Sequence, residues 1–182
     1  MTLDEIYNEL SKPGPHSDNI IEHLPTLTSL ASQCDHVTEL GFRFGTSFSA
    51  VLKGKPKRAI GYGENIPIVA LKVWGQADIP NKHTVSILET SNLPNIDIKE
   101  TDLLLLDNFN SYKRLKKALE LNGDKARKYI LIHNTVCYGR VGDDASTPGL
   151  MQAILDFIST RNNWQEYFHH TNNNGLYCLR RV

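Results

Sequence analysis

Segments with the pattern of a β-strand alternate with segments of helical periodicity along most of the 182-residue chain. The predicted strands are 36–40, 57–62, 84–88, 102–107 and 128–132. One predicted helix begins near Pro25, and others cover 47–52, 66–76 and 150–157. The helical spacing of Tyr112, Leu115, Ala118 and Leu119 indicates one more. Strands that alternate with helices in this way form a parallel sheet with helices on both of its faces.

The end of the chain departs from this alternation and predicts a hairpin. Ranges 164–170 and 176–181 flank the sequence Asn172-Asn173-Asn174-Gly175, which is typical of a turn between antiparallel strands. The predicted fold class is therefore α/β, a three-layer, doubly wound, mostly parallel sheet with a C-terminal antiparallel hairpin. The length fits a single domain over 1–182, with an N-terminal helical segment at 1–23 and a core at 24–182.

The charge balance and the cysteines exclude several classes of protein. The 20 Lys and Arg residues are matched by 20 Asp and Glu residues, so the chain lacks the basic excess of a general nucleic-acid or membrane-surface binder. Its apolar runs fall far short of a membrane span, and its acidic start does not resemble a signal peptide. Cys34, Cys137 and Cys178 form no CxxC pair, so we expect buried thiols in a reducing compartment and a cytoplasmic protein.

A glycine loop, residues 39–47, joins the first predicted strand to the following helix. In parallel sheets of this kind, ligands bind outside the carboxyl ends of the strands. Gly41 and Gly45 let the backbone turn tightly, and the helix start that follows offers free N–H groups to a carboxylate or phosphate. The loop lacks the full G-x-G-x-x-G of a dinucleotide site and the lysine of a P-loop, so a plain strand-to-helix turn stays an alternative.

Further candidate groups follow the fourth and fifth predicted strands. Asp107 ends a buried strand, where a carboxylate is costly unless it is paired or binds a ligand, whereas Asn110 or Ser111 fits a helix cap. His133 fits a general base, a metal ligand or a satisfied core imidazole. Asp107, His133 and Asn134 would offer oxygen and nitrogen donors to a divalent cation, although a single carboxylate is a poor ligand set for magnesium.

The remaining charged clusters are predicted at the surface. Basic side chains on the wet face of the helix after Asp107 are Lys113, Arg114, Lys116 and Lys117. Loop cations predicted to be solvated are Lys53, Lys55, Lys57, Arg58, Lys125, Arg127 and Lys128. His169 and His170 have no partner at metal-ligand spacing, so we expect them at a solvent or oligomer surface.

Several of these motifs, taken in order, resemble a known family. Val37-Thr38-Glu39-Leu40-Gly41, followed by Gly45-Thr46-Ser47, resembles the first motif of class I S-adenosylmethionine-dependent methyltransferases. The later runs 101–107, 127–135 and 172–176 resemble the small members grouped with cephalosporin-hydroxylase-like and rhamnosyl O-methyltransferase-like proteins. The resemblance covers nearly the whole chain and implies a seven-stranded sheet, S-adenosylmethionine as the cofactor and methyl transfer as the activity.

The resemblance also implies roles for individual residues. Those in the glycine loop that would surround the methionine part of the cofactor are Glu39, Gly41, Arg43, Gly45, Thr46 and Ser47. In the family, an acid at the position of Gly63 contacts the ribose; here Glu64, one position later, would make that contact. Glu89 and Thr90 would lie near the adenine ring, and Asp107 matches the family's acid after the fourth strand.

Three departures from the family pattern bear on the mechanism. Gly63 replaces an acid, Asn110 stands where the family has His, and Asn134 stands where it has Asp. Amides neither take up protons at neutral pH nor offer a charged metal ligand, so these departures argue against a metal-dependent reaction. His133 is then the best remaining candidate for the catalytic base, with Asp107 as its orienting partner or as a contact to the substrate.

The predicted function is S-adenosylmethionine-dependent O-methylation of a small polar acceptor, such as a polar metabolite or a glycan. We expect recognition of the acceptor by 1–19 and by the loop 137–148, which carries Tyr138, Arg140, Asp143 and Asp144. One alternative is a catalytically degenerate homologue that serves as a binding or assembly module, and a homo-oligomer stays open. Another is a nucleotide-binding oxidoreductase, which the missing G-x-G-x-x-G disfavours.

Overall fold

A seven-stranded sheet runs through the part of the chain that this computed structural model describes, residues 1–14, 19–79 and 84–182. Its strands are β1 (His36–Leu40), β2 (Arg58–Gly63), β3 (Thr84–Glu89), β4 (Thr101–Leu106), β5 (Ala126–His133), β6 (Trp164–His170) and β7 (Leu176–Arg181). In the order β3-β2-β1-β4-β5-β7-β6, the first five are parallel, and β7 pairs antiparallel with β5 and β6. The strand order changes direction between β1 and β4, which is the switch point where ligands bind in such sheets.

Helices cover both faces of this sheet. They are α1 (Leu3–Leu10), α2 (Leu24–Ala31), α3 (Thr46–Lys53), α4 (Ile68–Gly75), α5 (Tyr112–Asn122) and α6 (Leu150–Ser159). One apolar core packs the helices α1, α2, α3 and α4 against one face of the sheet, and a second core packs α5 and α6 against the other face. Leu103 and Leu105 of β4 enter the first core and Leu104 enters the second, because successive side chains on a strand point to opposite faces. Within the described ranges, no helix has the length and apolar character needed to cross a membrane.

The predicted fold class is confirmed. The strands predicted at 36–40, 164–170 and 176–181 have the predicted bounds, and the bounds of the other predicted strands and helices shift by at most two residues. The helix predicted near Pro25 begins at Leu24. The division into an N-terminal segment at 1–23 and a core at 24–182 stays a prediction.

The prediction of buried thiols holds for two cysteines and is wrong for the third. Cys34 and Cys178 are buried, and burial raises the pKa of each thiol to about 12. Cys137 is exposed, because it lies in the loop between β5 and α6.

The strand ends around the switch point pack backbone against backbone. Gly41, directly after β1, has a φ of 122°, and a Cβ there would lie 2.2 Å from the carbonyl oxygen of Asp107. The N–H groups of Gly41 and Phe42 both donate to the Tyr62 carbonyl, at 2.8 and 2.9 Å. At the end of β2, a Cβ on Gly63 would lie 2.2 Å from the carbonyl oxygen of Phe42. The ends of β1, β2 and β4 are therefore closer together than a side chain at Gly41 or Gly63 would allow.

The substitution Gly63→Ala tests this close packing. We expect it to lower the free energy of unfolding by about 1–3 kcal/mol, because the added methyl group must displace the Phe42 carbonyl or the Ile66 side chain. Gly75→Ala is the matched control, since a Cβ there meets no heavy atom within 4 Å and alanine favours the helix that Gly75 ends. Urea denaturation of both variants measures the difference, and equal stabilities would contradict the prediction.

Candidate functional site

The glycine loop between β1 and α3 borders a pocket of about 40 Å³. Gly45, with a φ of 86°, lies at the N-cap of α3, where no described side chain caps the N–H groups of the first turn. The Trp74 indole fixes this turn, because its Nε1–H donates to the Phe44 carbonyl at 3.0 Å and Nε1 would lie 2.4 Å from a Cβ on Gly45. The pocket is lined by Asn19, Ile20, Gly41, Arg43, Phe44, Gly45, Thr46, Ser47, Asp107 and Asn108. An uncapped helix N-terminus of this kind attracts carboxylate or phosphate groups.

Glu39 of β1 is buried behind this pocket. The Ser47 hydroxyl, which belongs to the pocket lining, donates to Glu39 Oε1 at 2.8 Å. Among the described residues, the buried Oε2 of Glu39 has no hydrogen-bond partner. Burial raises the pKa of Glu39 to about 8; the Ser47 hydrogen bond opposes this shift, and the charge of Asp107 adds to it. A buried carboxyl oxygen without a partner is costly, so this position fits a ligand that brings a proton donor.

A second pocket, of about 190 Å³, adjoins the first and shares Gly41, Arg43 and Asn108 with it. Its other lining residues are Phe42, Glu64, Asn65, Leu93 and Arg114. Glu64 Oε1 accepts from the Leu93 N–H at 2.7 Å, and Glu64 Oε2 accepts from Arg114 Nη2 at 2.9 Å. Burial alone would raise the pKa of Glu64, but these two donors hold it below its ordinary value. The pocket therefore contains an ionised carboxylate one residue after the end of β2.

Asp107 and His133 form an ion pair at the adjacent ends of β4 and β5, in which the His133 side chain is buried and the Asp107 side chain is 17% exposed. His133 Nδ1 lies 2.9 Å from Asp107 Oδ1, and His133 Nε2 lies 2.7 Å from the Asn19 carbonyl oxygen. Because both partners are acceptors, both ring nitrogens donate, and the imidazole is in its charged form. Burial alone would lower the pKa of His133, but the Asp107 carboxylate and the carbonyl acceptors raise it. Burial alone would raise the pKa of Asp107, but His133 and the Asn108 N–H hold it low.

Three asparagine side chains connect the strand ends beside this pair, and we call them the amide row: Asn110, Asn134 and Asn174. Asn134 Nδ2 donates to Asn110 Oδ1 at 2.9 Å, and Asn174 Nδ2 donates to Asn134 Oδ1 at 3.3 Å. Asn134, with a φ of 65°, thus joins the end of β5 to the turn before α5 and to the β6–β7 hairpin. A carboxylate at Asn134 could not reproduce both bonds, since it has no N–H to donate.

The structure brings together most of the predicted site residues. Those that line the two pockets are Gly41, Arg43, Gly45, Thr46, Ser47, Glu64 and Asp107, with Glu39 behind them. Neither Glu89 nor Thr90 is among the described lining residues of these pockets. Glu89 Oε1 accepts from the Ile66 N–H, and Thr90 Oγ1 accepts from the Asn92 N–H. The contact of Glu89 and Thr90 to an adenine ring stays a prediction.

The candidate metal donors Asp107, His133 and Asn134 lie on neighbouring strand ends, but other bonds engage their side chains. His133 uses both ring nitrogens in the ion pair and its carbonyl contact, and Asn134 uses its amide in the amide row. The described part of the chain contains no group of three or more His, Cys, Asp or Glu side chains that could hold a metal ion. A metal role for these residues stays a prediction.

The structure corrects the expected cap at Ser111, whereas the expected solvent or oligomer surface at His169 and His170 stays a prediction. Ser111 occupies the N-cap position of α5, but its side chain makes no capping hydrogen bond to the helix. His169 and His170 are half-buried, because the hairpin packs beside the end of β5. His169 Nε2 lies 3.1 Å from Thr135 Oγ1, and the His170 ring stacks on Phe168 with centroids 4.4 Å apart.

The site also contains residues whose contacts were not predicted, among them Trp74, Asn108 and Arg114. Arg114 belongs to a run of basic residues whose spacing indicates a wet helix face, and its partner Glu64 is 50 positions away in the chain. Asn108 carried a usable signal, because asparagine directly after a strand tolerates the left-handed φ of 60° that it adopts here. Its Nδ2 donates to the Gly41 carbonyl at 3.3 Å and so joins the ends of β1 and β4.

The strand order, the terminal antiparallel hairpin and the glycine loop at the switch point together define the class I methyltransferase fold. SAH-bound PaMTH1 of Podospora anserina, a methyltransferase, is 16% identical over 99% of this chain and 87% of its own, with a TM-score of 0.65. TomG of Streptomyces achromogenes, an O-methyltransferase of tomaymycin synthesis solved with SAM, is 17% identical over 99% and 89%, with a TM-score of 0.64.

An O-methyltransferase of Bacillus cereus solved with SAH is 16% identical over 99% of this chain and 90% of its own, with a TM-score of 0.59. No protein-family model matches the chain, and no curated protein matches it. At these identities the likeness establishes the fold, and the function has to be argued from the site.

The substitution Asp107→Asn tests the ion pair. We expect it to lower folding stability by about 3–5 kcal/mol, because the buried His133 imidazolium would lose its countercharge. Asp4→Asn is the control, since it breaks an exposed pair with Lys53 that contributes about 1 kcal/mol or less. Urea denaturation at pH 6 measures both variants, and similar losses would contradict the prediction.

The same pair defines a pH window for stability. The pKa of His133 is raised, so its contribution is complete below about pH 6.5 and is lost as the pH rises through the folded-state pKa. The pKa of Asp107 is lowered, so its contribution is present above about pH 3.8 and is lost as the pH falls through the folded-state value. An NMR titration of the His133 ring should give a pKa above 6.5 in the native protein and a lower one in Asp107→Asn. A native value below 6.5 would refute the assignment of the charged imidazole.

Proposed function

We propose that this protein is a methyltransferase that binds S-adenosylmethionine in the two adjoining pockets and methylates a hydroxyl group of a small polar or sugar acceptor. The observation that supports this best is the buried Oε2 of Glu39, which has no partner among the described residues and lies behind the glycine loop. The methionine part of the cofactor carries an ammonium group and a carboxylate. Glu39 would face the ammonium group, and the N-terminus of α3 would face the carboxylate.

The remaining pocket residues fit the rest of the cofactor. The ionised Glu64 carboxylate would accept hydrogen bonds from the ribose hydroxyls, and Arg43 lies at the boundary that the two pockets share. When bound, S-adenosylmethionine supplies a methyl group that its sulfonium already activates. The main task of the protein is then to hold the acceptor in line with that group, an effect that contributes up to about 7–11 kcal/mol in well-oriented reactions.

The geometry favours a positioning role for His133 over its predicted role as the catalytic base. Its two ring nitrogens donate to Asp107 and to the Asn19 carbonyl, so the ring cannot take up another proton. We propose that the pair orients the ends of β4 and β5 and that Asp107, which lines the first pocket, contacts the acceptor. The low pKa of Asp107 keeps it ionised, so it can orient an acceptor hydroxyl by accepting its hydrogen bond.

The acceptor side of the site is polar. Asn19 lines the first pocket, and the loop 137–148 is attached beside the amide row, where the Asp143 N–H donates to the Asn110 carbonyl at 2.9 Å. Arg140 and Asp144 on that loop are exposed. Charged and amide groups in these places support a hydroxylated, polar acceptor, and the O-methyltransferases of Bacillus cereus and Streptomyces achromogenes, which share the fold, are consistent with an oxygen as the methylated atom.

Isothermal titration with S-adenosylmethionine tests the cofactor site. We expect the native protein to bind it, and Glu39→Gln to bind it about tenfold or more weakly, because an amide cannot offer a countercharge to the ammonium group. Glu120→Gln, at an exposed position on α5, is the matched control and should leave affinity unchanged. No heat with the native protein at millimolar cofactor would overturn the proposed function.

Proton release gives a second readout of the same contact. The pKa of Glu39 is about 8 in the free protein, so at pH 7 the carboxyl group is mostly protonated, and binding of an ammonium group should release that proton. The measured binding enthalpy should therefore differ between phosphate and Tris buffers, and affinity should rise between pH 6 and pH 8. Glu39→Gln should abolish the buffer difference; if the difference persists in that variant, another group releases the proton.

The binding-module alternative has one observation in its favour, which is that His133 is not free to act as a base. The double substitution Asn110→His with Asn134→Asp distinguishes an active methyltransferase from a catalytically degenerate binding module. If the native protein is the enzyme, it should transfer radiolabelled methyl groups to a panel of sugars and polar metabolites. The double variant should then lose activity, because the amide row is broken. An inactive native protein together with an active double variant would instead establish the degenerate homologue.

A further inference from the structure

We propose that Arg114 is a positioning residue that holds the Glu64 carboxylate in place for ribose recognition; this inference rests on the proposed function. Arg114 lies in the first turn of α5 and lines the second pocket. Its Nη2 donates to Glu64 Oε2 at 2.9 Å, and its guanidinium lies 6.0 Å from the centre of the Phe109 ring. The arginine side chain thus connects the helix after β4 to the acid after β2.

The displacement of the acid explains why such a residue is needed. Gly63, the last residue of β2, has no room for a side chain unless its neighbours move, because a Cβ there would lie 2.2 Å from the Phe42 carbonyl oxygen. Glu64 therefore carries the carboxylate from a position outside the strand, where the sheet no longer fixes the direction of its side chain. Two donors supply that direction instead: the Leu93 N–H on Oε1 and Arg114 on Oε2.

The energetics of the pair also point to positioning. The side chain of Arg114 is 40% exposed and that of Glu64 is 26% exposed, so solvent screens the pair and its contribution to folding is small. The pair nevertheless leaves lone pairs on both carboxylate oxygens, because Oε1 accepts from the Leu93 N–H and Oε2 from Arg114, and each oxygen can accept a second hydrogen bond. An ionised carboxylate with a fixed direction and spare acceptor sites recognises a vicinal diol.

Binding of S-adenosylhomocysteine and of its 2′-deoxy and 3′-deoxy counterparts tests this inference by titration calorimetry. We expect the native protein to bind the full ligand about tenfold or more tightly than a deoxy form, since a hydrogen bond to a charged group is lost. Arg114→Met should weaken the full ligand and bring this ratio close to one. Arg114→Lys should give an intermediate ratio, because an ammonium group keeps the charge without the planar fork of the guanidinium.

Glu64→Gln and a double variant complete the thermodynamic cycle. Arg114→Met should add less than about a twofold change in the Glu64→Gln background, because it acts through that carboxylate. Lys117→Met, at an exposed position on the same helix, is the control and should leave the ratio as in the native protein. A general loss of stability would weaken all three ligands alike, so the ratio separates positioning from a structural effect, and Arg114→Lys supplies the reading if Arg114→Met does not fold.

The outcomes separate this inference from the proposed function. If the native protein binds none of the three ligands at millimolar concentration, the proposed function fails, and this inference fails with it. If the native protein discriminates between them and Arg114→Met discriminates equally well, the cofactor site stands and the role of Arg114 is refuted. A large further effect of Arg114→Met in the Glu64→Gln background would also refute it, since Arg114 would then contact the ligand directly.

Discussion

The ion pair between Asp107 and His133 is the interaction on which the arrangement of the site depends. The His133 imidazolium is buried at the end of β5, and the Asp107 carboxylate, which borders the first pocket at the end of β4, supplies its countercharge. The second nitrogen of His133 bonds the Asn19 carbonyl, so the pair also fixes the segment that precedes α2. Since the Asp107 carbonyl oxygen would lie 2.2 Å from a Cβ on Gly41, the same residue sets the distance between β4 and the glycine loop. One ion pair therefore holds three parts of the candidate site in register.

The three departures from the family pattern become intelligible beside this pair. Glycine fits at position 63 because the Phe42 carbonyl occupies the space of a side chain, and Glu64, one position later, carries a carboxylate that two donors hold. Asn134 donates an amide hydrogen bond to Asn110, which an acid at position 134 has no N–H to make. Each departure has a physical reason in the contacts of its neighbours, so none of them by itself indicates that the site has degenerated.

The fold could be predicted from the sequence because its signals are local. The apolar run of β4, the helical spacing of α5 and the asparagine turn of the hairpin each set an element within about ten residues, and the parallel order follows from their alternation. The glycine loop was predictable for the same reason, since Gly41 and Gly45 mark backbone conformations that few other residues adopt.

The partners of the site residues could not be predicted, because they are distant in the sequence. Nothing near His133 in the chain shows that both of its nitrogens face acceptors, one of them on Asn19. The position of Arg114 on α5 is typical of a solvent-facing lysine or arginine. Its contact with Glu64 forms only in the folded protein, because the two residues are distant in the sequence. Sequence patterns predicted which residue types lie at the carboxyl ends of the strands. The protonation and orientation of these side chains depend on contacts across strands.

These contacts leave the charges of the site unevenly compensated. Asp107 is neutralised by His133 and Glu64 by Arg114, so both carboxylates already have a cation before any ligand binds. Glu39 differs, because it lacks a cationic partner among the described residues and burial raises its pKa to about 8. It is therefore the one of these three acids whose charge can change near neutral pH, and a ligand with an ammonium group would stabilise its ionised form. In the proposed function, the negative charge that the pocket offers to the cofactor would be created by the binding itself.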